Sequence, residues 1–206
     1  MGRRVPPSIE GMLAHLYASV MDPERFEDFA AELRLAMNAH LVALQSDDQS
    51  HRHRAQKHFS DSPHDVPQPD YANDASINLY FVRAAHRFES SGVIDGTLLF
   101  APGELERTAF YRDQLLPFDV HKSMGLCLDS GPSGESVALS VSRDRNRPAF
   151  EPGAMQLAHR LLPHLRNVFQ LQQRLQQLES TASVMDRVSY GVWLLAGDGN
   201  GGSGSG

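Results

Sequence analysis

"KSMGLCLDSGPSGESVALSVSRD", residues 122–144, decides how the rest of the chain must be read. Successive strand residues point to opposite faces, so Met124, Leu126 and Leu128 share one face and Cys127 takes the other. A Gly/Ser/Pro cluster at residues 130–134 interrupts the pattern. Alternation then resumes through Val137, Leu139 and Val141, with Ser140 and Ser142 between them. Two alternating runs around a turn predict an antiparallel hairpin, and a hairpin with one apolar face needs helices or a second sheet to cover it.

The flanking sequence offers helices. In "SIEGMLAHLYASVMD" (8–22), Ile9, Met12, Leu13, Leu16, Tyr17 and Val20 recur at helical spacing behind Ser8, a suitable N-cap. In "DPERFEDFAAELRLAMNAH" (22–40), Asp22 can cap, Pro23 suits the first helical position, and Phe26, Phe29, Leu33 and Met37 form a stripe. "HLVALQSDD" (40–48) reads as a strand and "SHRHRAQKHFS" (50–60) as its hairpin partner, followed by a proline-rich loop over 60–69. "YANDASINLYFVRAAHRF" (71–88) predicts a helix, "DGTLLFAP" (95–102) a strand, and "GELERTAFYRDQLLPFDV" (103–120) a helix stopped by Pro117. A long helix follows from "RPAFEPGAMQLAHRLLPHL" (147–165). Helices first, an antiparallel meander in the middle and a helix behind it predict an α+β fold.

Composition narrows the function. At 206 residues and 41% hydrophobic content, one substantial core is expected. A formal net charge of -6 argues against a basic nucleic-acid-binding face on this segment. With Cys127 as the one cysteine, an intrachain disulfide and a Cys-based zinc site are excluded. "MGRRVPPSIEG" lacks the apolar region of a signal peptide, and the expected location is cytoplasmic. The tail "GGSGSG" (201–206) has the composition of a flexible linker or tag, and residues 200–206 are set aside from the fold on that basis.

Three stretches in order carry a family likeness: "ELERTAFYRDQLLPFDVHKSMGLCL", "ALSVSRDRNRPAFEPGAMQLAHRLLPHLRNVFQLQQRLQQLE" and "MDRVSYGVWLLAGDG". The landmarks are Glu104, Leu105, Thr108, Phe110, Tyr111, Arg143, Pro148, Phe150, Leu162, Pro163, His164 and Leu165. The chain resembles, over residues 8–199 and most sharply over 104–178, the N-terminal regions of bacterial LuxR-type helix-turn-helix transcriptional regulators. In that group a GAF/PAS-like sensory domain precedes a PAS-like segment and a C-terminal DNA-binding domain. The likeness implies a GAF/PAS-like sensory domain over residues 8–178, including the start of the long helix. It implies the end of that helix and the truncated start of a second PAS-like domain over 179–199, where "SYGVWLLAGDGN" has strand composition. DNA contact is implied only through a domain that this sequence does not contain.

In such a fold, aromatic residues on helices flanking the sheet surround a ligand cavity, which makes Tyr80, Phe81, Phe100, Phe110 and Tyr111 pocket candidates, with Met124 beside them; the alternative is core packing. Arg143, at a strand end, is a candidate for an anionic group of the ligand, or else pairs with Asp144 or Glu135 at the surface. His51, His53, His58 and His64 have the residue type of metal ligands, but Arg52, Arg54 and Lys57 among them suit a solvated basic segment. Neither Cys127 nor Ser140 and Ser142 sits in a nucleophile motif, so no catalytic set, metal or cofactor is expected.

"LLPHLRNVFQLQQRLQQLESTASVMDRV" (161–188) carries a leucine seam. Leu161, Leu165 and Val168, then Leu171, Leu175, Leu178, Ala182 and Met185, step by three and four. The first half can pack on its own sheet. Leu165, Val168, Leu171, Leu175 and Leu178 are the candidate dimer contacts, and the predicted partners are a second copy of the chain and an unidentified small-molecule effector. The function these readings predict is a ligand-sensing, dimerising region of a transcriptional regulator; the alternative is a ligand-free pairing module.

Overall fold

The computed structural model describes residues 7–48, 53–60, 78–80, 82–84, 92–130 and 135–197. The fold is α+β. Helix α1 spans Ile9–Ala18 and α2 spans Arg25–Ala36. The Ser8 hydroxyl caps α1 by accepting the Gly11 amide at 3.0 Å. Helix α2 starts later than Pro23 suggests: Pro23 lies in the preceding turn, where the Asp22 carboxylate accepts the Glu24 amide at 3.3 Å.

Strands β1 (Leu41–Asp48), β2 (His53–Ser60), β3 (Val93–Asp95), β4 (Lys122–Ser130) and β5 (Glu135–Arg143) form one sheet in the order β2-β1-β5-β4-β3. Every pairing is antiparallel. The β4–β5 hairpin is the one that alternation predicts, and β1–β2 is the pair expected over residues 40–60. A bulge shifts the β4–β5 register between Cys127 and Asp129.

One face of this sheet is the hydrophobic core. Met12 and Leu16 of α1, Phe29, Leu33 and Met37 of α2, and Val42, Phe59, Met124, Leu126, Leu139 and Val141 of the strands pack together. The last helix, α3 (Pro152–Gly197), closes the same face with Ala154, Ala158, Leu161, Leu165 and Val168. Ala154 and Ala158 of its first turns are buried with these leucines, and burying each leucine contributes about 2 kcal/mol. Arg166 of α3 fixes the docking by donating from Nε to the Cys127 carbonyl at 3.0 Å, beside the bulge.

Three sequence expectations change here. Residues 96–99, read as strand, form a 3-10 helix, because the Asp95 carboxylate accepts the Thr97 amide at 2.9 Å and turns the chain out of β3. The helix expected over 103–120 is broken into a 3-10 turn (Leu105–Arg107), a π-helical turn (Tyr111–Leu115) and a second 3-10 turn (Leu116–Phe118). Thr108 makes the break. Its backbone is extended, and its hydroxyl donates to the Leu105 carbonyl at 2.7 Å while accepting the Tyr111 amide at 3.1 Å. Residues 189–197, given strand composition above, continue α3 as helix, so a local β propensity yields to helix propagation from the preceding turns.

The chain divides into two units, residues 1–168 and 169–206. The first contains the sheet and its covering helices. Within the second the structure describes the remainder of α3. No helix among the described residues is long and apolar enough to cross a membrane.

Candidate functional site

The face of the sheet opposite the core is built from small side chains. Ala43 and Gln45 of β1, Ser123, Gly125 and Cys127 of β4, and Ala138, Ser140 and Ser142 of β5 alternate with the core residues. Ala43, Ser123, Cys127, Ala138 and Ser142 are nevertheless buried. Short side chains line this face, whereas Met, Leu and Val residues fill the other.

The covering layer carries the aromatic residues. Leu105, Phe110 and Tyr111 form a buried cluster against which Leu79, Tyr80, Phe100 and Leu115 pack. The Tyr80 ring stands edge-on to Phe100 and to Phe110, with centroids 5.6 Å and 5.7 Å apart. Asn78 ties this layer to the sheet in two ways. Its amide donates to the Gln45 side-chain oxygen at 3.1 Å, and its own oxygen accepts the Tyr80 amide at 3.0 Å, starting the helical residues 79, 80 and 82–84. Gly96 brings the Tyr80 ring down onto β4: a Cβ there would lie 2.7 Å from Tyr80 Cε1 and 2.8 Å from the Ser123 carbonyl oxygen.

Arg83 holds the outer edge. Its guanidinium donates to the Glu104 carboxylate at 2.5 Å and to the Leu99 carbonyl at 3.2 Å, and lies 4.5 Å from the Phe100 ring centroid. With the Ala101 amide as a second donor, Arg83 lowers the Glu104 carboxyl to about 2. Burial, followed by the charges of Glu106 and Asp95 and by Tyr111, raises the Tyr80 phenol well above its ordinary value, so it stays protonated. The Tyr111 hydroxyl meets His121 Nδ1 at 2.8 Å, and His121 Nε2 meets the Asp119 carboxylate at 2.9 Å.

Of the pocket candidates, Tyr80, Phe100, Phe110 and Tyr111 are brought together, and Phe81 lies outside the described residues. Met124 and Arg143 are placed elsewhere. The strand period puts Met124 with Leu126 on the helix-covered face, fully buried in the core. Arg143 also points to that face, at 0% exposure. It donates to the carbonyls of Met37 (3.0 Å and 2.5 Å), Pro148 (3.1 Å) and Ala149 (2.8 Å) and to the Glu151 carboxylate (3.0 Å), and lies 4.3 Å from the Phe150 ring centroid. It is a clamp between the end of α2 and the 144–151 connection that leads into α3, and has no capacity left for a ligand anion.

Two of the dimer candidates change role as well. Leu165 and Val168 are each 2% exposed within their own core and offer nothing to a partner. Leu171 and Leu178 are exposed, and Leu175 is half-buried. His53 and His58 lie on β2, while His51 and His64 fall outside the described residues. No cluster of three metal-ligating side chains exists among the described residues. Sequence reasoning passed over Gln45, Asn78, Arg83, Asp119 and His121. The alternating small residues of "ALSVSR" were the available signal for the face, but no local pattern pairs Asn78 with Gln45 or Tyr111 with His121.

No family model matches the chain, and no curated protein matches it in sequence. Among solved structures, the fold is similar to the VqsR LBD domain from Pseudomonas aeruginosa, with a TM-score of 0.61 at 13% identity, covering 80% of this chain and 96% of that one. Weaker likenesses are to Escherichia coli SdiA (TM-score 0.47, 10% identity, covering 82% of this chain and 69% of that one). CepR2 from Burkholderia cenocepacia, described as an N-acylhomoserine lactone dependent LuxR family transcription factor, gives a TM-score of 0.45 at 12% identity, over 80% and 96% of the two chains. At these identities the first likeness shows a shared fold.

Proposed function

We propose that the chain is the ligand-sensing region of a LuxR-type transcriptional regulator, acting in the cytoplasm as a homodimer and reaching DNA through a separate domain. The observation that carries this reading is the contrast between the two faces of one sheet. One is filled by Met, Leu and Val against three helices; the other presents Ala, Ser, Gly and Cys beneath an aromatic layer joined by Asn78–Gln45 and Arg83–Glu104. A layer with small residues below, ring edges above and a few polar groups suits a small organic ligand. The fold shared with an LBD domain and the residue likeness to the regulators support the same reading.

Sensing requires that ligand favour one of two states, and α3 is the element suited to report it. Arg166 joins α3 to the Cys127 carbonyl, and the Cys127 side chain belongs to the small-residue face. A thermal-shift screen with small neutral metabolites tests the reading. Saturating ligand stabilises by about 2.7 kcal/mol at 100 times Kd, a shift of a few degrees for a domain of this size. The expected result is at least one such shift that disappears in Ser140→Leu, where the added side chain occupies the face. A flat response across the panel overturns the ligand reading and leaves a pairing module.

A further inference from the structure

A buried phenol, an imidazole and a carboxylate form a chain at one end of the aromatic layer. Asp119 Oδ1 lies 2.9 Å from His121 Nε2, and His121 Nδ1 lies 2.8 Å from the Tyr111 hydroxyl. The rings of Tyr111 and His121 also meet edge-on, with centroids 5.8 Å apart. The backbone on both sides departs from regular structure. Tyr111 opens a π-helical turn, and Asp119 has φ 52, in the left-handed region. Irregular backbone of this kind persists only where surrounding contacts hold it, and it gathers at functional sites.

For a neutral imidazole the two partners place the protons on this chain. A carboxylate only accepts, so the imidazole proton sits on Nε2 and faces Asp119. Nδ1 of the neutral ring then has a lone pair, and the Tyr111 O–H must donate to it. Its proton committed, the Tyr111 oxygen can only accept a further bond, and it accepts none from the described residues. Tyr80 belongs to the same cluster, and its hydroxyl keeps its proton.

We infer that Tyr111, oriented and polarised by the Asp119–His121 pair, is a specificity-determining contact that selects ligands presenting an N–H or O–H donor to its oxygen. The inference rests on the small-residue face being the ligand site. A donor-bearing ligand completes the chain, whereas an ether or ester oxygen brought to the same point meets a lone pair with a lone pair.

A matched pair of aromatic probes isolates this selection: 4-methylphenol, which can donate, and 4-methylanisole, which cannot. Both are titrated by ligand-observed NMR into the full chain. The more apolar anisole is the one that burial alone favours, so a preference for the phenol is a stringent result. The expected outcome is binding of 4-methylphenol about tenfold tighter, the order of one net hydrogen bond to a buried group. In Tyr111→Phe, checked for an intact fold by circular dichroism, that ratio should fall close to one. Nitrogen-15 spectra of the histidine-labelled protein at pH 8, with the resonance assigned through His121→Gln, should show a protonated Nε2 and a bare Nδ1. Equal or tighter binding of the anisole, a ratio that survives Tyr111→Phe, or a proton on Nδ1 each overturns the assignment of Tyr111 while leaving the ligand face intact. Binding of neither probe to the wild type counts against the face itself, and the assignment falls with it.

Discussion

Arg143 shows what one side chain does when the backbone around it supplies acceptors. A guanidinium at 0% exposure would be costly alone; here three carbonyl groups and a carboxylate surround it, and Phe150 covers one side. Removing it leaves those carbonyls without a donor, so Arg143→Ala should cost about 3–5 kcal/mol in denaturant unfolding. Arg143→Lys should recover only part of this, because an ammonium cannot span Met37 and Glu151 as a fork does. Glu151 is 58% exposed, and its half of the pair is discounted accordingly: Glu151→Gln should cost about 1 kcal/mol or less. The Arg143 hydrogen bond lowers the Glu151 carboxyl below its ordinary value. A lowered folded-state pKa means the contribution is complete above the unfolded carboxylate value near 4.5 and is lost as pH falls through the lower folded value. Wild type and Glu151→Gln should therefore differ at pH 7 and converge in acid; a difference that persists at pH 2 would show that the charge is not responsible. The parity of β5 put Arg143 on the face of Val137, Leu139 and Val141, and the same rule put Met124 with Leu126. That much was legible. The return of residues 144–151 over the guanidinium was not, because carbonyls carry no sequence signature.

At the scale of elements, the hairpins, the Ser8 cap and the apolar stripes of α1 and α2 followed from local rules, and those rules failed where a side chain competed with the backbone. Thr108 and Asp95 each offered the chain a local hydrogen bond in place of regular structure, converting an expected helix and an expected strand into short turns. Those turns bring Phe100, Phe110 and Tyr111 together, so the part of the candidate site least readable from sequence is the part made by these substitutions. Glycine marks the close approaches. Gly92 has φ 70, and a Cβ on it would lie 2.5 Å from Arg166 Nη2 and 2.6 Å from Leu162 Cδ2, while its carbonyl accepts the Cys127 amide at 2.7 Å. Gly103 has φ 71 with nothing within 4 Å of the same position. The pair separates backbone from packing. Gly103→Ala should lose about 1–2 kcal/mol, the cost of a left-handed conformation for a residue with a Cβ. Gly92→Ala should lose a further 1–2 kcal/mol or so as Arg166 and Leu162 are pushed off the edge of β3. Equal losses in denaturant midpoints would mean that the contact of α3 with this edge yields freely and does not fix the helix.

For the whole molecule, the question is which apolar surfaces the chain satisfies by itself. The leucine seam of α3 is continuous in sequence but not in use. Leu161, Leu165 and Val168 complete the core, and after Val168 the seam passes into the second unit, with Leu171 39% and Leu178 67% exposed. Each square ångström of apolar surface left in water costs about 25 cal/mol, and the residues between these leucines are Gln and Arg, which gives a narrow stripe suited to one partner helix. A second copy would supply an identical stripe, self-complementary about a two-fold axis. Leu171→Asp, Leu175→Asp and Leu178→Asp test the pairing without touching the core, because their backbone lies beyond the residues that pack on the sheet. In analytical ultracentrifugation the wild type should sediment as a dimer at micromolar concentration, and each variant should shift toward monomer. Their melting temperatures should converge on a common monomer value, which separates loss of pairing from loss of fold. A wild type that stays monomeric at high concentration excludes self-association through this stripe.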